Sequence, residues 1–210
     1  MIFGYPASYS DYVGEVLPLE YLTSGVSRPI HSVGDLAGIN FLVLFGGEDI
    51  STYWYKQMPV KAHASATPSN REYIEEVLVT ACLEKKIPIL GICRGAQFMC
   101  CLLGGSLWQH VEGHEGRDHT MNIGGLIRNT NSYHHQMMIP TSEMEVLAYV
   151  GPPISVSKWG ETKFLECDEP EPEIVYHRSK KVLMIQGHPE WVDEEHDLFE
   201  ITKDLIKELL

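Results

Sequence analysis

Cys93 sits in the pentapeptide Gly91-Ile92-Cys93-Arg94-Gly95, after the apolar run Ile87–Ile92 and before a helical pattern that starts at Ala96. An apolar run of that length predicts a buried strand. Glycines two residues to either side of a Cys suit a sharp strand-to-helix turn, because larger side chains would block the close backbone packing around it. A thiol at a helix N-terminus meets unpaired N–H groups and the positive end of the helix dipole, which favour the reactive thiolate. The Arg94 amide would then face a developing oxyanion. A core cysteine between close-packing glycines fits the pentapeptide equally well.

A thiolate that cleaves amides needs a base and a group to orient that base. Gly187-His188-Pro189-Glu190 offers both, directly after the strand-like run Val182–Gln186. Pro189 restricts the backbone of His188 to extended conformations. Glu190 is placed to accept the imidazole Nδ1–H and fix the tautomer. A lone histidine at a strand end is more often structural, so His188 gains its meaning from Cys93.

The elements that must position these groups follow from pattern. Met1–Tyr5 reads as a first strand, and Ser32–Asp35 as the cap of a short helical turn; Tyr21–Ile30 has too many turn and β-branched residues to read as a helix and is left open. The run Phe41–Phe45, ending at Gly46-Gly47, predicts a central parallel strand buried on both faces, with the Gly47 amide open to a ligand. An ordinary glycine turn is the plain alternative. Tyr53–Ser69 reads as loop. Ser69 or Asn70 caps a helix through Arg71, Tyr73, Ile74, Val77, Leu78, Ala81 and Cys82, which completes a strand–helix–strand crossover to Cys93. The helix Ala96–Leu103 ends at Gly104-Gly105. Met121–Ile127, Glu145–Tyr149, Lys163–Leu165, Glu173–Arg178 and Val182–Gln186 predict strands of a mixed sheet, and Asp193–Leu210 an amphipathic helix. The acidic, proline-rich Glu166–Pro172 reads as a solvated loop without a metal site. The expectation is one α/β domain over residues 1–210, with its chemistry at the carboxyl ends of the strands.

A formal net charge of -13, from 16 Lys and Arg against 29 Asp and Glu, argues against nucleic acid, whose phosphates need clustered cations. No apolar stretch reaches membrane-spanning length, and the N-terminus lacks the layout of a signal peptide, so a cytoplasmic location is expected. Cys82, Cys93, Cys100, Cys101 and Cys167 are odd in number and lack paired CxxC spacing, which predicts free thiols. His110, His114 and His119, among Glu112, Glu115 and Asp118, have metal-ligand chemistry, but Gly113 and Gly116 break any helix that would align them, and no metal is expected. The adjacent His134-His135 pair would point to opposite sides of a strand, so at most one would face a substrate.

Taken together, the motifs resemble class I glutamine amidotransferase domains and, within them, the γ-glutamyl hydrolases of peptidase family C26. Phe45–Ile50 resembles the oxyanion motif and Gly91–Gln97 the nucleophile elbow; Gly104–Gln109 is similar to the segment after the elbow helix, Asn131–Gln136 to the substrate-facing loop, and Gly187–Trp191 to the base and its orienter. The likeness runs from about Phe41 to the C-terminus. It implies a flavodoxin-like α/β fold, a catalytic triad of Cys93, His188 and Glu190, and an oxyanion hole from the amides of Gly47 and Arg94. It assigns substrate binding to Gly46, Gln97, Tyr133, His134, His135 and Gln136. The implied reaction is hydrolysis of a γ-glutamyl amide or glutamine through a thioester on Cys93, with no cofactor; a glutaminase subunit that hands ammonia to a separate synthetase is the alternative. A homodimer is compatible with the resemblance. Met1–Pro6 only loosely echoes the family's opening strand, Cys100 stands where Asn is common, and the chain is short before Phe41 and between Ile50 and Ser69, where the leaving group is expected.

Overall fold

Short, wholly buried apolar runs form the centre of this molecule, and the chain's charged segments wrap their ends. The computed structural model describes the chain except for residues 62, 64, 156, 161–163 and 166–170 and the side chains of residues 164–165. In chain order the elements are β1 (Ile2–Pro6), α1 (Leu17–Thr23), β2 (Val26–Ile30), β3 (Phe41–Leu44), α2 (Asn70–Lys85), β4 (Ile89–Ile92) and α3 (Arg94–Leu102). There follow β5 (Ser106–Trp108), β6 (His110–Val111), β7 (His119–Ile123), β8 (Leu126–Thr130), β9 (Met137–Ile139), β10 (Glu145–Val150), β11 (Lys158–Trp159), β12 (Phe164–Leu165), β13 (Glu171–His177), β14 (Val182–Ile185) and α4 (Asp197–Leu209).

Among the described residues the main sheet has the order β2-β1-β3-β4-β14-β13-β10-β7-β8. From β2 to β14 the strands run parallel, and from β13 onward each neighbour is antiparallel. The parallel order is that of flavodoxin-type sheets, whose ligands sit beyond the carboxyl ends of the strands. β3, β4 and β14 are buried at every position, as strands covered on both faces must be. One apolar layer packs Leu42, Leu44, Ile89 and Met184 against α2 and α3; the other packs Phe3, Val43, Leu90 and Ile185 against α1 and α4.

The expected first strand, the Ser32 cap and the strands around Cys93 and His188 form as read. Ser32 caps the 3-10 turn Val33–Leu36, its backbone N–H donating to Asp35 Oδ2 at 2.9 Å. One open region is filled and three expectations change. Tyr21–Ile30 is the end of α1 and then β2, divided by Ser24 in the left-handed region (φ 49°). Met121–Ile127 is not one strand: Gly124 and Gly125, at φ 58° and 85°, turn β7 back into β8. In α2 the buried face carries Arg71, Glu72 and Glu75 with Leu78 and Cys82, while Tyr73, Ile74 and Val77 are exposed. Charge pairs at the start of the helix, not apolar spacing, set its rotation. Finally, most of the acidic stretch Glu166–Pro172 lies outside the described residues, but Glu171 opens β13 and is fully buried rather than solvated. No described helix is long and apolar enough to cross a membrane.

Candidate active site

Cys93 connects β4 to α3 with φ 49° and ψ −108°, a conformation L residues rarely adopt. Its N–H donates to the Ile185 carbonyl of β14 at 2.7 Å, so the neighbouring strand pins the turn. The glycines are required by contact. A Cβ on Gly91 would lie 2.6 Å from the Gly95 carbonyl oxygen, and one on Gly95 would overlap the Leu44 carbonyl of β3. The start of α3 therefore lies directly on two strands, with Cys93 at its N-terminus. Cys82 and Cys100 occupy different surroundings: burial pushes both thiols up to about 12, which makes them inert. All four described cysteines are free, and Cys167 lies outside the described residues.

His188 follows β14, the strand beside β4, and so arrives next to Cys93. Its Nδ1–H donates to Glu190 Oε1 at 2.8 Å. Burial alone would lower the imidazole pKa; the neighbouring Cys93 sulfur and Glu190 carboxylate outweigh it and push it up to about 10. The residue is clamped on both backbone sides by Asn131, whose Nδ2 donates to the His188 carbonyl at 2.9 Å and whose Oδ1 accepts its N–H at 2.7 Å. Trp191 stacks flat on the imidazole, with ring centroids 3.7 Å apart, and Tyr133 meets the edge of both rings.

The third strand end, after β3, carries Gly46 and Gly47. A Cβ on Gly46 would sit 2.8 Å from His188 Cε1, so the backbone lies against the base. Gly47 has φ 141°. The loop is held from below by α2: Arg71 Nη2 donates to the carbonyls of Phe45 at 3.2 Å and Gly46 at 2.8 Å. Arg71 Nε donates to Glu75 Oε1 at 2.9 Å, and Arg94 Nη1 donates to Glu75 Oε2. One buried carboxylate thus ties the loop after β3 to the residue after the nucleophile. Glu48 closes the network from the rim, 3.1 Å from Arg71 Nη1. Nothing in the chain's motifs marks Arg71 and Glu75 for this; their only signal is an i, i+4 charge pair.

The remaining expected residues divide. Gln97 is buried and its Nε2 donates to the Gln136 carbonyl at 3.0 Å; the Gln136 side chain accepts from the Ile50 N–H at 3.3 Å. Tyr133 is exposed beside His188. His135 Nε2 lies 2.8 Å from Asp49 Oδ1, on the side of the loop after β3. His134 does not join them: it is buried, packs at a tilt against His114 and turns its Nε2 toward Glu173. The two adjacent histidines do point to opposite sides. A cavity of about 380 Å³ opens beside Glu48 and Asp49, walled by Ser51, Ser65, Thr67 and Glu72.

Comparison with known proteins bears on family and fold. The sequence profile named Peptidase C26 matches residues 24–156, more than half of the chain. A glutamine amidotransferase-like protein of Lactococcus lactis, YvdE, is 30% identical over 188 residues, covering 78% of this chain and 72% of that protein. The gamma-glutamyl-CDP-amidate hydrolase of Campylobacter jejuni is 38% identical over 61 residues, 29% of this chain and 26% of that one. Among solved structures, a glutamine amidotransferase from Thermotoga maritima superposes with a TM-score of 0.62 at 16% identity, covering 99% of this chain and 84% of that one. This last likeness speaks for the fold alone.

Proposed function

The chain belongs to the peptidase C26 family, and on that footing we propose that it is a stand-alone γ-glutamyl hydrolase working through Cys93, His188 and Glu190. The observation that carries this reading is the meeting of a helix-terminal cysteine, an imidazole and a carboxylate at the ends of the adjacent parallel strands β4 and β14. The gamma-glutamyl-CDP-amidate hydrolase among its relatives supports the substrate class.

In this mechanism the Cys93 thiolate attacks the γ-carbonyl carbon of a γ-glutamyl amide. Negative charge develops on the carbonyl oxygen, which the amides of Gly47 and Arg94 receive. The C–N bond then breaks, and the amine departs with the proton of His188, leaving a γ-glutamyl thioester. A water gives a proton to His188 and attacks the same carbon; the C–S bond breaks, glutamate leaves and the thiolate returns. Glu190 holds the ring in the tautomer that directs Nε2 to the sulfur. Arg71 and Glu75 act through the backbone, fixing the carbonyls of Phe45 and Gly46 so that the Gly47 amide keeps its aim. Gln97 and Gln136 face the glutamyl group, and the cavity beside Glu48 and Asp49 takes the amine. The reaction needs one domain, residues 1–210, and no cofactor.

The second reading, a glutaminase subunit serving a synthetase, is supported by the amidotransferase names of its relatives. One assay separates the two. The purified chain, supplied with a panel of γ-glutamyl amides and glutamine, releases glutamate without any partner if it is a hydrolase. Release only when a synthetase and its acceptor are added would replace the first reading with the second.

A further inference from the structure

Behind the segment Asn131–Gln136, on the antiparallel side of the sheet, four side chains from four separate stretches converge on one point. His119 Nε2 of β7 lies 3.0 Å from Glu173 Oε1 of β13; His114 Nδ1 lies 3.6 Å and His134 Nε2 3.9 Å from the same oxygen. The ligand-type atoms of His114, His119 and Glu173 all fall within 4.8 Å of one another. All four residues are buried or nearly so.

The hydrogen bonds on the far side of each ring determine what faces inward. His134 Nδ1 is 2.9 Å from the Gln136 carbonyl and His119 Nδ1 is 3.3 Å from the Arg117 carbonyl. A carbonyl only accepts, so both Nδ1 atoms carry the proton; in its neutral form each ring turns a lone pair inward from Nε2, whereas the 3.0 Å hydrogen bond from His119 Nε2 to Glu173 Oε1 needs a second proton on that ring, which a bound cation would replace. His114 is the mirror case: Nε2 donates to Glu171 Oε2 at 3.1 Å, so Nδ1 carries the inward lone pair. Three lone pairs thus meet a carboxylate. The buried atoms His114 Nδ1, His134 Nε2 and Glu173 Oε2 have no hydrogen-bond partner among the described residues. Protonating all three rings would satisfy Glu173 but would pack three cations together, with His114 only 4.9 Å from His119 and 4.7 Å from His134 between ring centroids.

A single divalent cation resolves the conflict. A tetrahedral ion bound at about 2.0–2.1 Å holds its donor atoms roughly 3.3 Å apart; the ring nitrogens lie 3.0–3.9 Å from Glu173 Oε1, and the His134 ring has to move inward to complete the set that His114, His119 and Glu173 begin. Each ring's outer N–H rests on a carbonyl or carboxylate, the arrangement that orients metal-bound imidazoles. We propose that His114, His119, His134 and Glu173 form a closed structural site for a zinc-class divalent cation. Three imidazoles and one carboxylate select zinc or cobalt over calcium or magnesium, which prefer all-oxygen sites. With four protein ligands and no open position, the ion holds structure instead of performing chemistry. It fastens β7, β13 and the turn at His114 to the segment whose Asn131 clamps His188. Sequence spacing does not disclose the set, since His110 falls outside it and His134 and Glu173 come from distant parts of the chain.

The test uses the full chain stripped of metal with a chelator and titrated with Co(II), whose visible absorption distinguishes tetrahedral from octahedral coordination, and with Zn(II) in competition. The expected result is one equivalent per chain, an intense tetrahedral Co(II) spectrum displaced by zinc, and a rise in Tm on zinc addition. Glu173→Gln and His119→Gln each weaken binding by about 100-fold or more. Ions held elsewhere, for example by the surface histidines His63, His110 and His135, survive both substitutions. If Glu173→Gln does not fold, His119→Gln carries the comparison from its position at the rim of the sheet. A wild-type chain that takes up no tetrahedral Co(II), or variants that bind as tightly as wild type, would overturn the proposal and leave a hydrogen-bonded His–Glu cluster.

Discussion

Glu75 and Glu173 are both buried carboxylates next to the same strand ends, but they face different cations. Glu75 lies between the guanidinium groups of Arg71 and Arg94, whose charge persists at every working pH. Glu173 lies among three imidazoles, whose charge does not. Burial alone would raise the Glu173 pKa, and the imidazoles of His119 and His134 beside it bring it down to about 2, so the carboxylate is ionised and is answered by a proton or a metal. A third buried carboxylate, Glu190, has one imidazole for a partner, His188. The lesson is one of use. Where a permanent charge holds backbone geometry, arginine answers the buried carboxylate; where a proton moves or a metal binds, histidine does.

The contrast can be broken by substitution, beginning at Glu190. Glu190→Gln keeps the shape but favours the wrong tautomer of His188, and kcat should fall by about 10³–10⁴-fold with little change in KM, read from steady-state glutamate release. Glu75→Ala should cost about 3–5 kcal/mol of stability in urea unfolding, because two buried guanidinium groups lose their partner. An unchanged midpoint would show that water, and not Glu75, satisfies them.

Gly46→Ala places a methyl group 2.8 Å from His188 Cε1 and should lower kcat by roughly 10–100-fold while the fold persists in circular dichroism. The pH dependence sharpens the His188 side. Its folded pKa, about 10, is raised above the ordinary 6.5, so its stabilising contribution is fully present below 6.5 and is lost as pH climbs through about 10. The Tm gap between wild type and His188→Gln should therefore narrow over that interval; a gap that widens would reverse the sign. The smallest effect lies on the other face of α2. Val77→Thr, at an exposed position, should shift stability by less than about 0.5 kcal/mol, in contrast to Arg71 on the buried face of the same helix.

What could be read from the chain was whatever sits in one short segment. Cys93 between its glycines, His188 two residues before Glu190, and Phe41–Phe45 leading into Gly46-Gly47 each carry local signals, because strained turns and doubly buried strands impose composition on their own few residues. The rotation of α2 was not legible: Tyr73, Ile74 and Val77 mimic an apolar stripe, while the true inward face is chosen by Phe45 and Gly46 carbonyls far away in sequence. His134 was assigned to the substrate by its motif, and the fold turns it toward Glu173. Glu171 looked solvated among acids and prolines, yet it pairs with His114 and with Lys158 at 3.2 Å. Long-range pairing across antiparallel strands leaves no periodic mark in the sequence.

The central claim is that Cys93 carries the acyl group. The direct measurement is mass spectrometry of the Cys93 peptide after acid quench during turnover of a γ-glutamyl amide. The account predicts a γ-glutamyl thioester on Cys93, absent from Cys93→Ala, together with loss of glutamate release in that variant. Glutamate released at the wild-type rate by Cys93→Ala, with no adduct on the wild-type peptide, would contradict it.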